Sequence, residues 1–570
     1  MANRLAVRFT EPSAAQSRHA AAAQLSLTGS FPVPLEKFTI YRVPSVAPMA
    51  SPAAANRIAR AAADRADVDR VAPVYALGPH RAVVTDRLIV GIRDERALAG
   101  LADLGLTVVE RFPGGVLLRA APGADPQGLL SRAGAVPGVT FAEPDLVVIG
   151  RSPDQGTGIA ASAAERPALG IGYAATLTGL VAARQRLTGS PAVAIAVLDD
   201  GIDSNHPDLR RALAGTFDAT TGATAVPGDT WNEHGTACAG LAAGAGQVEG
   251  FGHGCSLLAV RIARSDAPHS PWVTASSYLR RGIDWAASRA AVLSLSWGGT
   301  VVSSAVADAI ARARATGRGG LGCVIVAAAG NSPGPVDFPA SLPEVLAVSG
   351  SNGRDQFKTP VSSDGETWWG SASGSEVDLA APAVQIRTTG LRGAAGDTAD
   401  DYLPAFNGTS AATPMVAGTA ALLISALRNA TEDHVRALLL ASTDKIGGQP
   451  YVGGRNDLFG AGRLNVDRAV RAALGMLPPT PQQGGNPMTS ANDVPPGEVR
   501  LPLRGAKHTS SGTEVPPELQ VHLGGSAAPR PAATAGRTAD RSASVAGKAA
   551  PTARKATVAK TARPRAEPQY

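Results

Sequence analysis

Three short apolar runs constrain this chain most: AVAIAVL (192–198), AVLSLS (291–296) and CVIVAAA (323–329). Each is continuous rather than alternating and is bounded by turn-forming residues. A strand with no polar side is buried on both faces, as in a parallel sheet covered by helices. Helix-like segments separate these runs from about residue 171 to 475, so the pattern predicts an α/β block. In such a sheet the carboxyl ends of the strands face the ligand crevice. The first run leads into Asp199, and the third into Gly330 and Asn331.

A chain of 570 residues predicts two to four units, and the block above is one of them. Residues 83–148 read as a second. DRLIVGI (86–92), RALAGLADLG (96–105), TVVERF (107–112), GVLLRAA (115–121), PQGLLSRAGAV (126–136) and VTFAEPDLVV (139–148) run strand, helix, strand, strand, helix, strand. That order is the ferredoxin-like motif. In residues 1–82, EKFTIYRV (36–43) reads as a strand and ANRIARAAADRA (55–66) as a helix. VDRVAPVYAL (68–77) echoes VTFAEPDLVV, which suggests a half-copy of the same unit. Residues 149–177 begin with a Gly, Ala, Ser and Pro-rich stretch without periodicity and read as a linker. Residues 476–570 are Pro/Ala-rich and too poor in apolar residues for a core, so the expectation is a disordered tail.

The net charge of +6 belongs to that tail, because residues 526–570 carry nine Lys/Arg against two Asp/Glu. The tail reads as a spacer or as a contact for an anionic surface. Tyr570 is its single aromatic, too few to stack bases, so specific nucleic-acid recognition is not expected. Three cysteines, Cys238, Cys255 and Cys323, are too few for a disulfide framework. Three reduced thiols are expected, with a Cys238–Cys255 bridge as the alternative. No run of eighteen apolar residues predicts a transmembrane segment. The first residues lack the uninterrupted apolar stretch of a signal peptide, which favours a cytoplasmic location over a secreted one.

Candidate catalytic residues lie at strand ends and helix starts of the α/β block. Asp199 ends a strand, where a carboxylate can hold an imidazole tautomer. Asp200 reads as a turn aspartate that caps the next segment. His234, in NEHGTACAG (232–240), is followed by small residues that permit close approach. His206, in NHPDL, is its competitor but follows the Asp turn too closely to reach far. Ser410, in NGTSAATPMVAG (407–418), starts a helix, so its N–H and the helix dipole favour negative charge at the same point. Asn331 ends VIVAAAGN (324–331) and offers a side-chain amide to an oxyanion.

The order Asp, His, Ser differs from that of chymotrypsin and of the α/β-hydrolases. With VLDDGID, HGTACAG, AAAGN and GTSAATPMVAG in this order, the chain resembles the subtilisin-like serine peptidases over about 178–473, and GAGRLNVDRAV (460–470) resembles their closing segment. The resemblance implies a seven-stranded parallel sheet in three layers with flanking helices. It implies peptide-bond hydrolysis through an acyl-enzyme: Ser410 as nucleophile, His234 as base and then acid, Asp199 as orienter and Asn331 as oxyanion donor. No cofactor is implied for catalysis, and no metal ligand is assigned. A structural calcium ion is compatible with the family, but the usual loop, here AAGAGQVEGFGHG (242–254), is short and poor in oxygen ligands.

Substrate-binding residues implied by the resemblance are Ser296, Trp297 and Gly298 on one wall of the primary pocket and Ala329 and Gly330 on the other. Asp337 is placed near the floor, where it favours Arg or Lys before the scissile bond. Cys238 matches the free cysteine that proteinase K-like members keep beneath the histidine. Residues 83–148 resemble the family's propeptide, which acts as an intramolecular inhibitor, and self-cleavage is expected within about 147–178. Partners are then a peptide or protein substrate and the chain's own N-terminal unit. The alternatives are a processing peptidase for one partner peptide, a dormant pseudopeptidase used as a scaffold, and an esterase; the last lacks its G-x-S-x-G elbow.

Overall fold

The computed structural model describes residues 4–476 except 10–27, 34–37, 43–60, 64, 66, 78–79, 123, 151–169, 225–232, 266–270, 394–395 and 397–399. The stretch 151–169 of the expected linker and the tail beyond 476 lie outside the described residues.

The N-terminal half contains β1 (Arg4–Phe9), β2 (Thr28–Val33), β3 (Phe38–Arg42) and β4 (Val68–Leu77). It continues with β5 (His80–Ile92), α1 (Ala97–Ala102), β6 (Leu106–Phe112), β7 (Gly115–Ala120), α2 (Pro126–Gly134) and β8 (Val139–Ile149). The second group is the expected ferredoxin-like unit: its strands pair in the order β8, β5, β7, β6, all antiparallel. The long β5 starts at His80, and β8 ends at Ile149, so the unit outreaches 83–148 at both ends.

The first group is more than a half-copy. Its strands pair in the order β4, β1, β3, β2, also antiparallel, which is the same arrangement. The registers coincide as well. Leu5 lies opposite Pro73 and Tyr41, as Leu88 lies opposite Pro144 and Leu118. RLAVRF (4–9) and RLIVGI (87–92) are therefore equivalent strands. Of the helix expected over 55–66, residues 61–63 and 65 are described: 61–63 are helical, and Arg65 is a bend, so the helix ends before it. The two units join through β4 and β5, which pair from Val74↔Val83 to Leu77↔His80. One apolar cluster, including Ile40, Val74, Val83, Val147 and Tyr278, runs along this sheet into the next domain.

That domain opens with α3 (Gly170–Leu177) and α4 (Leu180–Arg184). Ala174 and Ala175 are buried in its core, so the expected linker over 149–177 is shorter: an apolar helix claims its last eight residues. Next come β9 (Ala194–Asp199), β10 (Leu213–Asp218), α5 (His234–Ala243), β11 (Ser256–Arg261), β12 (Ala263–Arg264), β13 (Val273–Ala275) and α6 (Ser276–Ala287). They are followed by β14 (Val292–Leu295), α7 (Ser304–Gly320), β15 (Val324–Ala328), β16 (Leu346–Ser351), β17 (Val377–Pro382), β18 (Ile386–Thr389) and β19 (Tyr402–Phe406). The described chain closes with α8 (Thr409–Ala426), α9 (Glu432–Ala441) and α10 (Val466–Ala473).

Seven strands form a parallel sheet in the order β10, β11, β9, β14, β15, β16, β17. Every residue of β14, β15, β16 and β17 is buried, as the unbroken apolar runs require. Helices α5 and α8 to α10 pack on one face and α6 and α7 on the other, which gives the three expected layers. Helix α8 is apolar enough by composition to cross a membrane, yet 89% of it is buried inside the protein, where it is the central core helix.

Candidate active site

Strand β9 is held between β11 and β14, and its last residue is Asp199. Asp199 Oδ1 accepts from the Asp200 N–H at 2.9 Å and from His234 Nδ1 at 2.8 Å. The second bond fixes Nδ1 as the protonated ring nitrogen and turns Nε2 away from Asp199. Burial disfavours the imidazolium, but the adjacent Asp199 carboxylate outweighs it, so the His234 pKa is raised well above the ordinary value. Asp200 caps a helix, but not the next segment: its Oδ1 accepts the Gly235 N–H at 2.8 Å in the first turn of α5, 35 residues on. His206 is structural: Nδ1 accepts the Asp208 N–H at 3.1 Å, which leaves Nε2–H to donate to the Asp401 carbonyl at 2.9 Å.

Ser410 is the second residue of α8. Gly408 precedes the helix at φ 106°, and a Cβ there would lie 2.9 Å from Asn331 Nδ2. Glycine thus lets the chain turn against Asn331. Asn331 Oδ1 accepts from both the N–H and the hydroxyl of Thr409, each at 2.8 Å. With its oxygen committed, the amide must present its NH2 elsewhere, and Asn331 is exposed at the crevice.

Pro414 sits four residues after Ser410. Proline has no N–H, so the Ser410 carbonyl loses its helical partner. It accepts instead from Ser296 Oγ at 3.1 Å and from Cys238 Sγ at 3.6 Å. The proline thereby ties the start of α8 to the end of β14 and to α5. In this structure Ser410 Oγ donates to the Ser296 carbonyl at 3.1 Å. Cys238 Sγ also lies 3.9 Å from His234 Nδ1, beneath the imidazole as the resemblance implied. All three cysteines are free and buried. Burial pushes the Cys238 thiol up to about 11. Asp199, His234 and Cys238 have ligand atoms within 4.8 Å of one another, but Asp199 and the neutral thiol here serve the imidazole.

A cavity of about 220 Å³ opens beside these residues, lined by Asp199, His234, Ser296, Trp297 and Gly298 on one side. Its other side is formed by Trp272, Thr274 and Val148. Val148 belongs to β8, which adds antiparallel to β13 through Ile149↔Val273, Val148↔Thr274 and Val147↔Ala275. The Gly150 N–H donates to the Trp272 carbonyl at 2.9 Å. The N-terminal half therefore lays an extended strand along the crevice.

Two buried carboxylates anchor that strand. Glu143 accepts from Ser303 Oγ at 2.6 Å, Ser304 N at 2.7 Å and Ala305 N at 3.2 Å, at the start of α7. Asp145 accepts from Ser277 N at 2.9 Å and Oγ at 2.8 Å, at the start of α6, and pairs with Arg87 at 2.9 Å. Both satisfy orphan helix N–H groups. Glu110 adds an ion pair to Arg280 at 2.5 Å. Sequence reasoning did not single out these acids or the edge strand Val273–Ala275. The signals were present: two acids flanking Pro144, and a β-branched pair just before a helix start.

Of the expected pocket residues, Ser296, Trp297 and Gly298 line the cavity, and Ala329 and Gly330 follow β15 opposite them. Asp337 lies between these walls: a Cβ on Gly298 would be 3.1 Å from Asp337 Cβ, and one on Gly330 2.5 Å from its Oδ2. Against the loop after α5, Asp208, from the β9–β10 connection, accepts the Val248 N–H at 2.7 Å and the Tyr402 hydroxyl at 3.0 Å, and within the loop Glu249 pairs with Arg184.

A model of the subtilase family of peptidases matches residues 190–462. Subtilisin E of Bacillus subtilis (strain 168) is 34% identical over 301 residues, covering 50% of this chain and 68% of that protein. The Calcium-dependent protease of Trichormus variabilis is 31% identical over 355 residues, covering 56% of this chain and 52% of its own length. The crystal structure of fervidolysin from Fervidobacterium pennivorans, described as a keratinolytic enzyme related to subtilisin, superposes with a TM-score of 0.54 at 21% identity. That match covers 72% of this chain and 63% of fervidolysin. Fold, site order and relatives agree: the chain belongs to the subtilase family of serine endopeptidases, which hydrolyse peptide bonds without a cofactor.

Proposed function

We propose that Ser410, His234 and Asp199 form the catalytic triad and that the N-terminal half is its intramolecular inhibitor. The observation that carries the reading is the 2.8 Å bond from His234 Nδ1 to the buried Asp199. It holds the tautomer in which Nε2 can take a proton. A turn of the Ser410 side chain from the Ser296 carbonyl toward Nε2 starts the reaction. Oγ attacks the substrate carbonyl as its proton passes to Nε2. The tetrahedral oxyanion is met by the Asn331 amide and the Ser410 N–H at the α8 N-terminus. Nε2 then protonates the leaving amine, and water repeats the sequence on the acyl-enzyme. Asn331→Ala should cost about 10²–10³ in rate, the magnitude known for the corresponding donor of subtilisin.

In this reading β8 occupies the place of a substrate strand, and its pairing with β13 supports that role. The loop after α5 offers few ligands for calcium: its one acid, Glu249, pairs with Arg184, and the neighbouring Asp208 accepts from Val248 and Tyr402. No step of this mechanism passes through a metal. The basic tail is read as a tether to an anionic surface, which rests on its charge alone.

Intact mass of the purified chain, beside Ser410→Ala, tests the reading. The wild type should lose its first ~150 residues, one length of the N-terminal half, while the variant keeps them. Loss of the same residues from the purified variant would overturn it.

A further inference from the structure

Asp337 is held by backbone on both sides. Its N–H donates to the Ala329 carbonyl at 2.9 Å, and the next residue, Phe338, exchanges bonds with Gly299 at 2.9 and 3.0 Å. The side chain is thus fixed between the two walls of the primary pocket. Two glycines, Gly298 and Gly330, leave it room, since a methyl group on Gly330 would overlap its Oδ2 at 2.5 Å. Among the described residues nothing hydrogen-bonds or ion-pairs with this carboxylate. Burial alone acts on it and raises its pKa above the ordinary value. A half-buried carboxylate without a partner costs free energy unless a donor arrives. A ligand cation that reaches it removes that cost.

A cation of this kind is supplied by the chain itself. Strand β8 lies along the cavity with Val148 in its wall, and Gly150 still bonds Trp272. The next residue in sequence is Arg151, then Ser152. Arg151 is thus the first cation in sequence after β8.

We infer that Asp337 makes the primary pocket selective for Arg or Lys, and that the first bond the enzyme cuts is its own Arg151–Ser152. The inference rests on the triad reading above. In the step, Ser410 Oγ forms an ester with the Arg151 carbonyl carbon, and the C–N bond to Ser152 breaks. Ser152 leaves as an amine carrying the proton from His234. Water then cleaves the ester, giving the Arg151 carboxylate and regenerating Ser410. Apart from water no co-reactant is needed.

The test uses the full chain and the enzyme it releases, with three readouts. A fluorophosphonate probe on Ser410 reports the triad. N-terminal sequencing reports the cut. Fluorogenic Val-Ile-Gly-Arg and Val-Ile-Gly-Phe peptides report selectivity in wild type and Asp337→Asn. The mature chain should begin at Ser152, and Arg should exceed Phe by about 10² or more in kcat/KM. Asp337→Asn should lower the Arg rate on the order of a hundredfold and collapse the Arg-to-Phe ratio. Arg151→Ala should slow self-cleavage to a similar extent. Probe labelling with a different first residue, or with Arg and Phe cut equally by the wild type, overturns this inference and leaves the triad standing. No labelling and no cleavage overturn both.

Discussion

The two large sheets of this protein divide the work by how their strands run. The parallel sheet is buried on both faces and exposes only strand ends, and the residues proposed for chemistry sit there or on the helices that follow: Asp199 after β9, Asn331 after β15, His234 and Ser410 on α5 and α8. The antiparallel sheet has edges. Its β8 edge is what reaches the crevice, by pairing with β13. Within that second sheet the two ferredoxin-like units share topology and register but not chemistry. Where β8 carries Glu143 and Asp145 around Pro144, β4 carries Ala72 and Val74 around Pro73. Ala72 and Val74 are buried apolar residues that extend the core. The same scaffold serves once as a helix-capping edge and once as a sheet extension. Two acids make the difference.

This division predicts separable effects. The largest is on the parallel sheet: Asp199→Asn in the mature enzyme should lower kcat by about 10⁴, as a wrong-tautomer change does in a serine triad. Docking of the N-terminal half, measured in uncleaved chain, should not move. The same variant reports on pH. Neutral Nε2 is required, so wild-type kcat/KM should fall as pH drops through a pKa above the ordinary imidazole range. Without the Asp199 charge that fall should shift to lower pH. For stability the sign is opposite. A raised folded-state pKa stabilises fully below the unfolded value, and that gain is lost as pH rises through the folded value. A pH profile unchanged in Asp199→Asn would break the proposed pairing.

Next is Asp145→Ala in a Ser410→Ala background. It strands Arg87 and the start of α6, and should destabilise the docked N-terminal half by about 3–5 kcal/mol in urea unfolding. A change below about 1 kcal/mol would mean that β-pairing alone holds the strand. Glu143→Gln keeps the shape and loses charge at the start of α7, so a smaller loss of about 1–2 kcal/mol is expected. The smallest effect belongs to the seam between the two units. Arg8 bonds Asp69 at 2.5 Å and Asp86 at 2.8 Å, and these groups are partly exposed. Arg8→Ala should cost about 1 kcal/mol, read as a small fall in the midpoint, with peptidase activity of the mature enzyme unchanged. If it equals the Asp145 effect, the first unit takes part in docking and the contrast between the units fails.

Much of the candidate active site was legible in sequence because its residues are bound to local signals. A continuous apolar run fixes a strand, and the next polar residue must then stand at its end, which located Asp199 and Asn331. Small residues after His234 and around Ser410 marked the helix starts. Pro414 was visible as a helix-start proline, but its effect was not. That effect depends on Ser296 and Cys238, from other elements, reaching the carbonyl that proline leaves free. The first ferredoxin-like unit was only half legible, because VDRVAPVYAL shares little beyond Val68 and Pro73 with its counterpart. Strand order and register are relations between segments, and no single segment carries them.

The sequence by itself determined the α/β block, the order of the residues proposed for the triad and one ferredoxin-like unit, because apolar periodicity and helix-start chemistry are local. Only the tertiary structure decided that Glu143 and Asp145 cap α7 and α6, that β8 runs on to β13, and that the Ser410 carbonyl is met by Ser296 and Cys238. Each of those joins residues far apart in the chain. Their energy comes from desolvation and paired hydrogen bonds that exist only when the elements meet.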